Sequence, residues 1–153
     1  MANTYTQIYI HLIFAVKGRA CLIKNEWKNE SYKYITGIMK NKGQKLIAIN
    51  GVSDHVHILL GMKPDIALSN LVRDIKANSS GFVNDKKWTK TKFNWQQGFG
   101  AFSCSHSQLN TVIKYIQNQE IHHKKKTFKD EYIGFLKKYN IAFDEIYLFN
   151  WIE

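Results

Sequence analysis

The order of strands and helices predicted from the sequence is that of an α+β, ferredoxin-like fold, a split βαβ plan with helices on one face of an antiparallel sheet. The first observation behind it is a change in apolar spacing along the chain, from every second residue to every third or fourth. The second is the resulting order of strand, helix, strand, strand, helix, strand, which makes the first and third strands neighbours. The third is the length of 153 residues, which suits one hydrophobic core. We therefore predict a single domain over residues 1–153.

The first half of the chain is predicted to supply three strands and one helix. Apolar and polar side chains alternate over residues 4–16, as in a half-buried strand. Residues 25–42 predict a helix, because Asn25 suits its N-cap and Gly43 follows its end. Two further strands, joined by a short polar turn, are predicted at residues 46–52 and 55–60.

The second half is predicted to be mainly helical. Apolar residues recur with helical spacing over residues 66–82 and again over residues 109–123. Ser105 and Gln108 form a candidate capping box before the second of these helices. Between and after the two helices we predict a basic loop over residues 84–94, a strand around residues 99–102, a short helix over residues 129–138 and an extended tail to residue 153.

The charge balance favours a polyanionic partner. The chain has 22 Lys and Arg residues against 12 Asp and Glu residues, a formal net charge of +10. Nucleic acid suits such a chain, because basic side chains that contact phosphates release condensed counterions. A membrane surface is the alternative, but no strongly basic amphipathic helix stands out.

Missing features exclude several protein classes. The apolar runs are shorter than a membrane-spanning helix needs, and the N-terminus lacks the order of a signal peptide, so we expect a soluble cytoplasmic protein. Cys21 and Cys104 lack the spacing of a zinc site and are predicted to be reduced thiols. No Gly-rich phosphate loop is present, so any DNA chemistry should need no ATP.

Two histidines with a single residue between them are the strongest functional signal. In a strand, His55 and His57 lie on one face, about 6.5 to 7 Å apart along the chain. Two imidazoles at this spacing can share one metal ion. His11, on the neighbouring first strand, would lie on the same open face of the sheet. The alternative is a pair of surface histidines on a half-exposed strand.

A tyrosine at the edge of an apolar stripe is the second signal. Tyr115 lies on the flank of the stripe of the 109–123 helix, and Gln119 lies one turn further along that flank. His122 follows Tyr115 at i+7. The three side chains could reach a shared site. The alternative is an amphipathic tyrosine that packs its ring and exposes its hydroxyl.

The third signal is the segment at residues 86–92, in which basic side chains surround an aromatic ring and which Trp95 follows. This pattern suits single-stranded nucleic acid, because charges contact phosphates and rings stack on bases. The alternative is a solvated loop with a tryptophan packed on the core. Residues 124–126 are interpreted as a solvated helix end. The candidate DNA-binding residues are Lys17, Arg19, Arg73, Lys76, Lys87, Trp88, Lys90 and Lys92.

Four segments together resemble the HUH single-tyrosine transposases of the insertion-sequence two-hundred / six-hundred-and-five group, the IS200-like transposase family. An H-x-H motif followed by a helical Y-I-x-x-Q motif, with a W-Q-x-G segment between them, is specific for this family. The resembling segments are residues 11–19, 54–60, 95–103 and 112–119.

The resemblance implies an enzyme that binds, cleaves and rejoins single-stranded DNA. Tyr115 would attack a phosphodiester, leaving a 5′-phosphotyrosine and a free 3′-OH, and a second strand end would then be joined. Free tyrosine has a pKa near 10, so the nucleophile needs help from a metal ion. The resemblance implies Mg²⁺ or Mn²⁺ held by His55, His57 and Gln119, whereas ligand softness alone favours Mn²⁺ or Zn²⁺. His11 and His122 are candidate accessory residues.

The implied partners are single-stranded DNA, at hairpin ends of the protein's own element, and a second copy of the chain. The homodimer would pair open sheet edges across a two-fold axis. The polar connector at residues 103–107 could let the tyrosine helix dock on its own sheet or on the partner's, and the resemblance favours the partner's. His57 and Tyr115 of one site are therefore predicted to come from different chains.

Three alternatives stay open. The first is a non-catalytic nucleic-acid-binding module on the same ferredoxin-like sheet. The second is a small zinc hydrolase that uses His11, His55 and His57. The third keeps the transposase chemistry but places it in a host-adopted protein that acts on scattered repeats.

Overall fold

Residues 3–152 are described by the computed structural model, so Met1, Ala2 and the predicted tail residue Glu153 lie outside it. The strands are β1 (Tyr9–Ala15), β2 (Lys45–Val52), β3 (His55–Gly61) and β4 (Gly100–Cys104). The helices are α1 (Asn25–Asn41), α2 (Leu68–Lys86), α3 (Leu109–Gln117), α4 (Gln119–His122) and α5 (Phe128–Lys138). Short 3-10 turns lie at Arg19–Cys21, His106–Gln108 and Glu145–Tyr147.

The four strands form one antiparallel sheet in the order β2-β3-β1-β4. β1 and β3 are neighbours, as the split βαβ plan requires, and the predicted α+β fold class is confirmed. In their register, Ile13 lies opposite His57 and Ala15 lies opposite His55. This pairing determines which side chains surround the two histidines.

The first face of the sheet, covered by α1 and α2, holds the larger apolar core. Its side chains come from alternate positions of β1 and β3, as the period of two in the sequence predicts. Each fully buried aliphatic side chain contributes about 1.5–3 kcal/mol to folding. The central members are Leu12, Phe14, Ile35, Met39, Val56, Ile58, Leu60, Leu71 and Ile75.

The second face is covered by α5; the helix itself was predicted, over residues 129–138, but the predicted fold placed helices on one face only. Ile13 and Ala15 of β1 point to this face and pack with Phe128, Tyr132 and Leu136 of α5. A helix packs on this face because the apolar side chains that β1 presents there would otherwise contact water. Phe102 and Phe149 complete this smaller core.

The close approach of α5 to β4 depends on one glycine. A Cβ atom added at Gly100 would lie 2.7 Å from the ring of Tyr132, which is closer than real contacts allow. The missing side chain therefore lets α5 pack directly on the edge of the sheet.

Some helix ends differ from the predicted ones. Asn25 is the first residue of α1 rather than its N-cap, because the carbonyl of the extended Lys24 accepts the first helical hydrogen bonds. The predicted 109–123 helix is interrupted at Asn118, whose φ of −96° and ψ of 21° separate α3 from α4. The capping box of Ser105 and Gln108 is present, before the 3-10 turn that leads into α3. Among the described residues, none of the helices has the length and apolar character to cross a membrane.

Candidate active site

The histidines of β3 are buried on the second face of the sheet. His55 and His57 are both 0% exposed, so they are not a surface pair. Their rings lie 5.0 Å apart between centroids. Nε2 of His11, from the neighbouring β1, lies 2.7 Å from Nδ1 of His57. Adjacent strands therefore bring the three histidines together, under α5 rather than on an open face.

Two neighbours orient the His55 ring. Nδ1 of His55 lies 2.7 Å from Oδ1 of Asp54, the residue before it in the chain. The ring of Phe128 stacks on the other side, with centroids 3.8 Å apart and planes 8° from parallel. These contacts point Nε2 of His55 toward the space between the sheet and α5.

A glutamate of α5 occupies the centre of this space. Oε1 of Glu131 lies 3.2 Å from Nε2 of His55, 3.0 Å from Nε2 of His57 and 3.1 Å from Nε2 of His123. Glu131 as a whole is only 3% exposed. Glu131 and His123 were not among the predicted site residues. The available sequence signal for Glu131 was a charged residue on the same helix face as Phe128 and Leu136.

The predicted tyrosine and glutamine reach the same space. The hydroxyl of Tyr115 donates a hydrogen bond to Oε2 of Glu131. Nε2 of the fully buried Gln119 donates to the same oxygen at 3.2 Å, and its Oε1 lies 3.1 Å from Nε2 of His123. The Tyr115 ring lies 5.9 Å from the His57 ring between centroids. The predicted accessory residue His122 packs against the Tyr115 ring instead, with centroids 4.5 Å apart.

All of these side chains belong to one chain. The predicted composite site would take His57 and Tyr115 from different chains, whereas α3 here docks beside β2 of its own sheet. Nδ2 of Asn50 donates to the carbonyls of Ile116 and Gln117 at 3.0 and 3.1 Å, which holds the end of α3 in place. In this single chain the connector docks α3 on its own sheet, and which chain supplies Tyr115 to each site of a dimer stays a prediction.

Burial keeps two of the histidines neutral. It lowers the pKa of His11 to about 3 and that of His57 to about 4. Both rings are therefore uncharged near pH 7, the form in which an imidazole nitrogen can bind a metal ion. For His55, burial alone lowers the pKa, but contacts with Asp54 and Glu131 outweigh it and leave the pKa raised.

The pKa values of Glu131 and Tyr115 are shifted in opposite directions. Burial alone raises the pKa of Glu131, but contacts with the nitrogens of His123, His55 and His57 outweigh it and hold the pKa far below its usual range. The pKa of Tyr115 is raised, first by burial and then by the negative charge of Glu131. The tyrosine is therefore protonated at neutral pH, and its activation needs a positive charge nearby.

The site has the donor atoms of a divalent-metal centre. His55, His57, His123 and Glu131 each offer one ligand atom, and these atoms lie within 4.8 Å of one another. Among the described residues, Nε2 of His55 is a buried nitrogen without a hydrogen-bond partner, although it lies 3.2 Å from Glu131. An unpaired buried nitrogen directed at a carboxylate fits a cation between them. The residues therefore fit a bound metal ion.

Two of the predicted DNA-binding residues serve the fold, away from this site. Trp88 stacks on Trp27 of α1, with centroids 5.1 Å apart, and packs against the core of the first face. Lys76 donates to the carbonyls of Gln96 and Gly98 at 2.7 and 2.6 Å. Burial lowers the pKa of Lys76 to about 8. Both side chains are therefore engaged in internal contacts.

The other predicted DNA-binding residues are exposed, and the clefts that some of them line do not include the histidines. Lys17 and Arg19 line a cleft of about 350 Å³ together with Trp151. Arg73 and Lys92 line another cleft, of about 520 Å³, beside α2. The exposed residues of the predicted set are Lys17, Arg19, Arg73, Lys87, Lys90 and Lys92.

A basic groove adjoins the histidine cluster. It has a volume of about 610 Å³, and Lys124, Lys126 and Lys129 line it together with His123 and Trp151. Its acidic lining residues are Asp54, which contacts His55, and Glu120, which pairs with Lys28 at 3.3 Å. Because His123 belongs to both the groove and the cluster, the groove leads to the site. Lys124 and Lys126 thus line a concave surface, rather than only a solvated helix end.

Sequence comparisons point to one family. The family model described as "Transposase IS200 like" matches residues 4–119. A curated relative, the ISDra2 transposase TnpA of Deinococcus radiodurans, is 27% identical over 120 residues, which cover 74% of this chain and 84% of the relative. His55, His57, Tyr115 and Gln119 lie inside the segment that the family model matches, whereas α5 follows it.

Solved structures share the fold. A crystal structure of a transposase from Deinococcus radiodurans R1 has a TM-score of 0.62 at 22% identity, covering 78% of this chain and 95% of that one. The structure of a REP-associated tyrosine transposase bound to a REP hairpin has a TM-score of 0.61 at 13% identity, covering 80% of this chain and 73% of that one. At these identities the likeness establishes the fold alone.

Proposed function

The chain belongs to the IS200-like transposase family, and on that premise we propose that it cleaves and rejoins single-stranded DNA through a covalent bond to Tyr115. The observation that carries the proposal is the position of the Tyr115 hydroxyl, which is hydrogen-bonded to Glu131 in the middle of the buried histidine cluster. A tyrosine that only packed its ring would have no need of three histidines and a carboxylate around its hydroxyl.

In the cleavage step, the Tyr115 oxygen attacks the phosphorus of a DNA phosphodiester. The new bond joins the tyrosine oxygen to phosphorus, and the bond from phosphorus to the 3′ oxygen breaks. The Tyr115 hydroxyl, which is hydrogen-bonded to Oε2 of Glu131 before the attack, gives up its proton to solvent, and the departing 3′ oxygen takes up a proton in its place. The products are a 5′-phosphotyrosine and a strand that ends in a 3′-OH.

In the joining step, a 3′-OH from another strand end attacks the phosphotyrosine. The phosphodiester is restored, and a proton returns to the Tyr115 oxygen. Each step exchanges one phosphoester for another, so no nucleoside triphosphate is consumed.

The histidines are the other half of the site. His55, His57 and Gln119 would hold a divalent cation, Mg²⁺ or Mn²⁺. Such an ion supplies polarisation of the phosphoryl oxygen and stabilises its developing negative charge. The protein contributes a buried surround, in which electrostatic interactions are stronger than in water.

We assign the DNA strand to the basic groove. Lys124, Lys126 and Lys129, which line the groove, would contact phosphates, and the half-buried Trp151 would offer a ring on which a base can stack. The strand would then reach Tyr115 past His123. Hairpin ends of the protein's own element are the expected substrates, in keeping with the REP hairpin bound by the similar REP-associated transposase.

We propose that the working unit is a homodimer in which sheet edges pair. β2 and β4 are the edge strands of the sheet, and their outer backbone groups are the ones that a second copy would pair with. Sedimentation of the purified chain should give twice the monomer mass. A monomer with full activity at the same concentration would contradict the dimer.

A mixing experiment tests whether each site belongs to one chain. Two inactive variants, His57→Ala and Tyr115→Phe, are combined under conditions that exchange subunits. With the arrangement of α3 seen in this chain, the mixture stays inactive, because neither chain holds both residues. Recovery of adduct on the chain that retains Tyr115 would establish the composite site instead.

The function itself is tested with a labelled single-stranded oligonucleotide that carries the DNA flanking the protein's own gene. Incubation with protein and Mn²⁺ should give a labelled protein band that survives SDS, and EDTA should abolish it. Tight binding without any SDS-resistant band would instead establish a non-catalytic nucleic-acid-binding module.

A further inference from the structure

We propose that Glu131 is a carboxylate ligand of the bound metal ion, which His55, His57, His123 and Glu131 hold together. The inference deepens the proposed function and rests on it, because that function is what requires a metal ion. Metal binding itself can be measured without DNA. The inference departs from the ligand set His55, His57 and Gln119. Glu131 and His123 lie beyond residues 4–119, the segment that the family model matches.

The distances within the cluster are those between ligands of one ion. Two atoms bound to one ion at about 2.1 Å are about 3.0 Å apart at octahedral angles and about 3.4 Å apart at tetrahedral angles. Oε1 of Glu131 lies 3.0 to 3.2 Å from the three histidine Nε2 atoms. Oε1 of Glu131 is therefore already spaced from each histidine nitrogen as one ligand of an ion is from its neighbour.

The His55 ring presents a lone pair to this space. When Asp54 accepts the proton on Nδ1 of His55, the neutral ring has its lone pair on Nε2. Nε2 of His55 then faces Oε1 of Glu131 at 3.2 Å without a hydrogen bond. Two electron-rich atoms repel at this distance, and a cation bound to both removes the repulsion.

His11 can do the same for His57. Nε2 of His11 lies 2.7 Å from Nδ1 of His57, so a neutral His11 can accept the Nδ1 proton. His57 then also presents a lone pair on Nε2, toward Glu131. His11 is thus a positioning residue, of the kind that orients metal-binding histidines through their second nitrogen.

α5 is anchored well enough to hold a ligand. Phe128 and Tyr132, on either side of Glu131 along the helix, are buried against Ile13 and Phe149. A carboxylate buried this deeply is costly unless charges or hydrogen bonds compensate it. A divalent cation between the carboxylate and three imidazoles supplies that compensation.

Gln119 is a supporting residue rather than a metal ligand in this arrangement. Its amide contacts Oε2 of Glu131 and Nε2 of His123 at 3.2 and 3.1 Å, so it supports two of the proposed ligands. Three imidazoles and one carboxylate also favour Mn²⁺ or Zn²⁺ over Mg²⁺, which prefers oxygen ligands.

Calorimetric titration of Mn²⁺ into the DNA-free protein separates the two ligand sets. We expect Glu131→Gln to weaken Mn²⁺ binding about 10-fold or more, because even outer contacts of a metal site are worth about 10–100-fold. The matched control, Asp130→Asn, removes an exposed carboxylate from the adjacent position of α5 and should leave the affinity unchanged. Gln119→Ala should cost less than Glu131→Gln.

An unchanged affinity in Glu131→Gln, or a larger loss in Gln119→Ala, overturns the proposal. Pulsed EPR of Mn²⁺ bound to the wild-type protein gives a readout that needs no variant to fold. Coupling to three histidine nitrogens supports the four-residue set, and coupling to two contradicts it. The proposed function fails separately, if Mn²⁺ binds through Glu131 but no covalent DNA adduct forms.

Discussion

The two faces of the sheet are built from alternate residues of the same strands, yet they bury opposite kinds of side chain. On β3, Ile58 enters the apolar core under α1 and α2, whereas His57, one residue earlier, enters a cluster of histidines under α5. Both residues are fully buried. The first face gains stability from packing, while the second face holds polar groups whose burial is costly unless they are paired. The difference separates the residues that maintain the fold from those available for chemistry.

The largest expected effect is on the second face, at Tyr115. Tyr115→Phe should abolish the SDS-resistant DNA adduct, because the lost hydroxyl is the proposed nucleophile. The ring still packs, so the free energy of unfolding should fall by no more than about 1.5–3 kcal/mol, the value of one hydrogen bond to a charged group. Adduct formation is measured on denaturing gels and stability by chemical denaturation.

A tyrosine outside the site provides the control for this substitution. Tyr147 is 82% exposed, and Tyr147→Phe should leave both the adduct and the stability unchanged. Adduct formation by the Tyr115→Phe variant would assign the nucleophile to another tyrosine.

The next effect concerns the histidines. His55→Ala and His57→Ala should each eliminate adduct formation, as should removal of divalent metal with EDTA, because the site loses its cation. Circular dichroism should show an intact fold for both variants. Activity that persists in EDTA would remove the metal ion from the mechanism.

The opposite pattern is expected on the first face. Ile58→Ala leaves a cavity in the apolar core of the first face, one residue along β3 from His57. It should lower the free energy of unfolding by about 2–5 kcal/mol. Adduct formation per folded molecule should stay close to that of the wild type, because no site residue changes. If the Ile58 variant stays folded but loses the adduct, the two faces are coupled, and the division between them fails.

The smallest effects are expected in the groove. Lys124→Ala, Lys126→Ala and Lys129→Ala should each weaken binding of single-stranded DNA modestly. Each should also reduce the slope of log affinity against log salt concentration by about 0.7, the value of one phosphate contact with a single strand. Lys90→Ala, in the exposed 86–92 segment, is the matched control. A larger change in the Lys90 variant would move the DNA path to that segment.

Local patterns were enough to predict most of the first face and half of the second. Alternation along β1 and β3 places Leu12 and Ile58 on one face and His11 and His57 on the other, and the structure shows this division. Helical spacing likewise puts Tyr115 and Gln119 on one flank. These predictions succeed because each depends on the geometry of a short stretch of chain, even where Asn118 separates α3 from α4.

The remainder of the site depends on contacts between distant segments. Glu131 lies 74 residues from His57 in the chain, and no periodicity connects the two. The cover of the second face by α5 follows from tertiary packing, including the close approach at Gly100. Trp88 also depends on such a contact: the basic and aromatic pattern predicts a DNA-binding loop, whereas the Trp88 ring packs on Trp27 of α1.

The attachment point of the DNA tests the central claim most directly. The adduct formed with the oligonucleotide and Mn²⁺ is digested with protease and nuclease, and the peptide that retains a 5′-linked nucleotide is sequenced by mass spectrometry. The account predicts one modified residue, Tyr115, linked through its side-chain oxygen to a 5′-phosphate. A nucleotide linked to any other residue, or to Tyr115 through a 3′-phosphate, would contradict it.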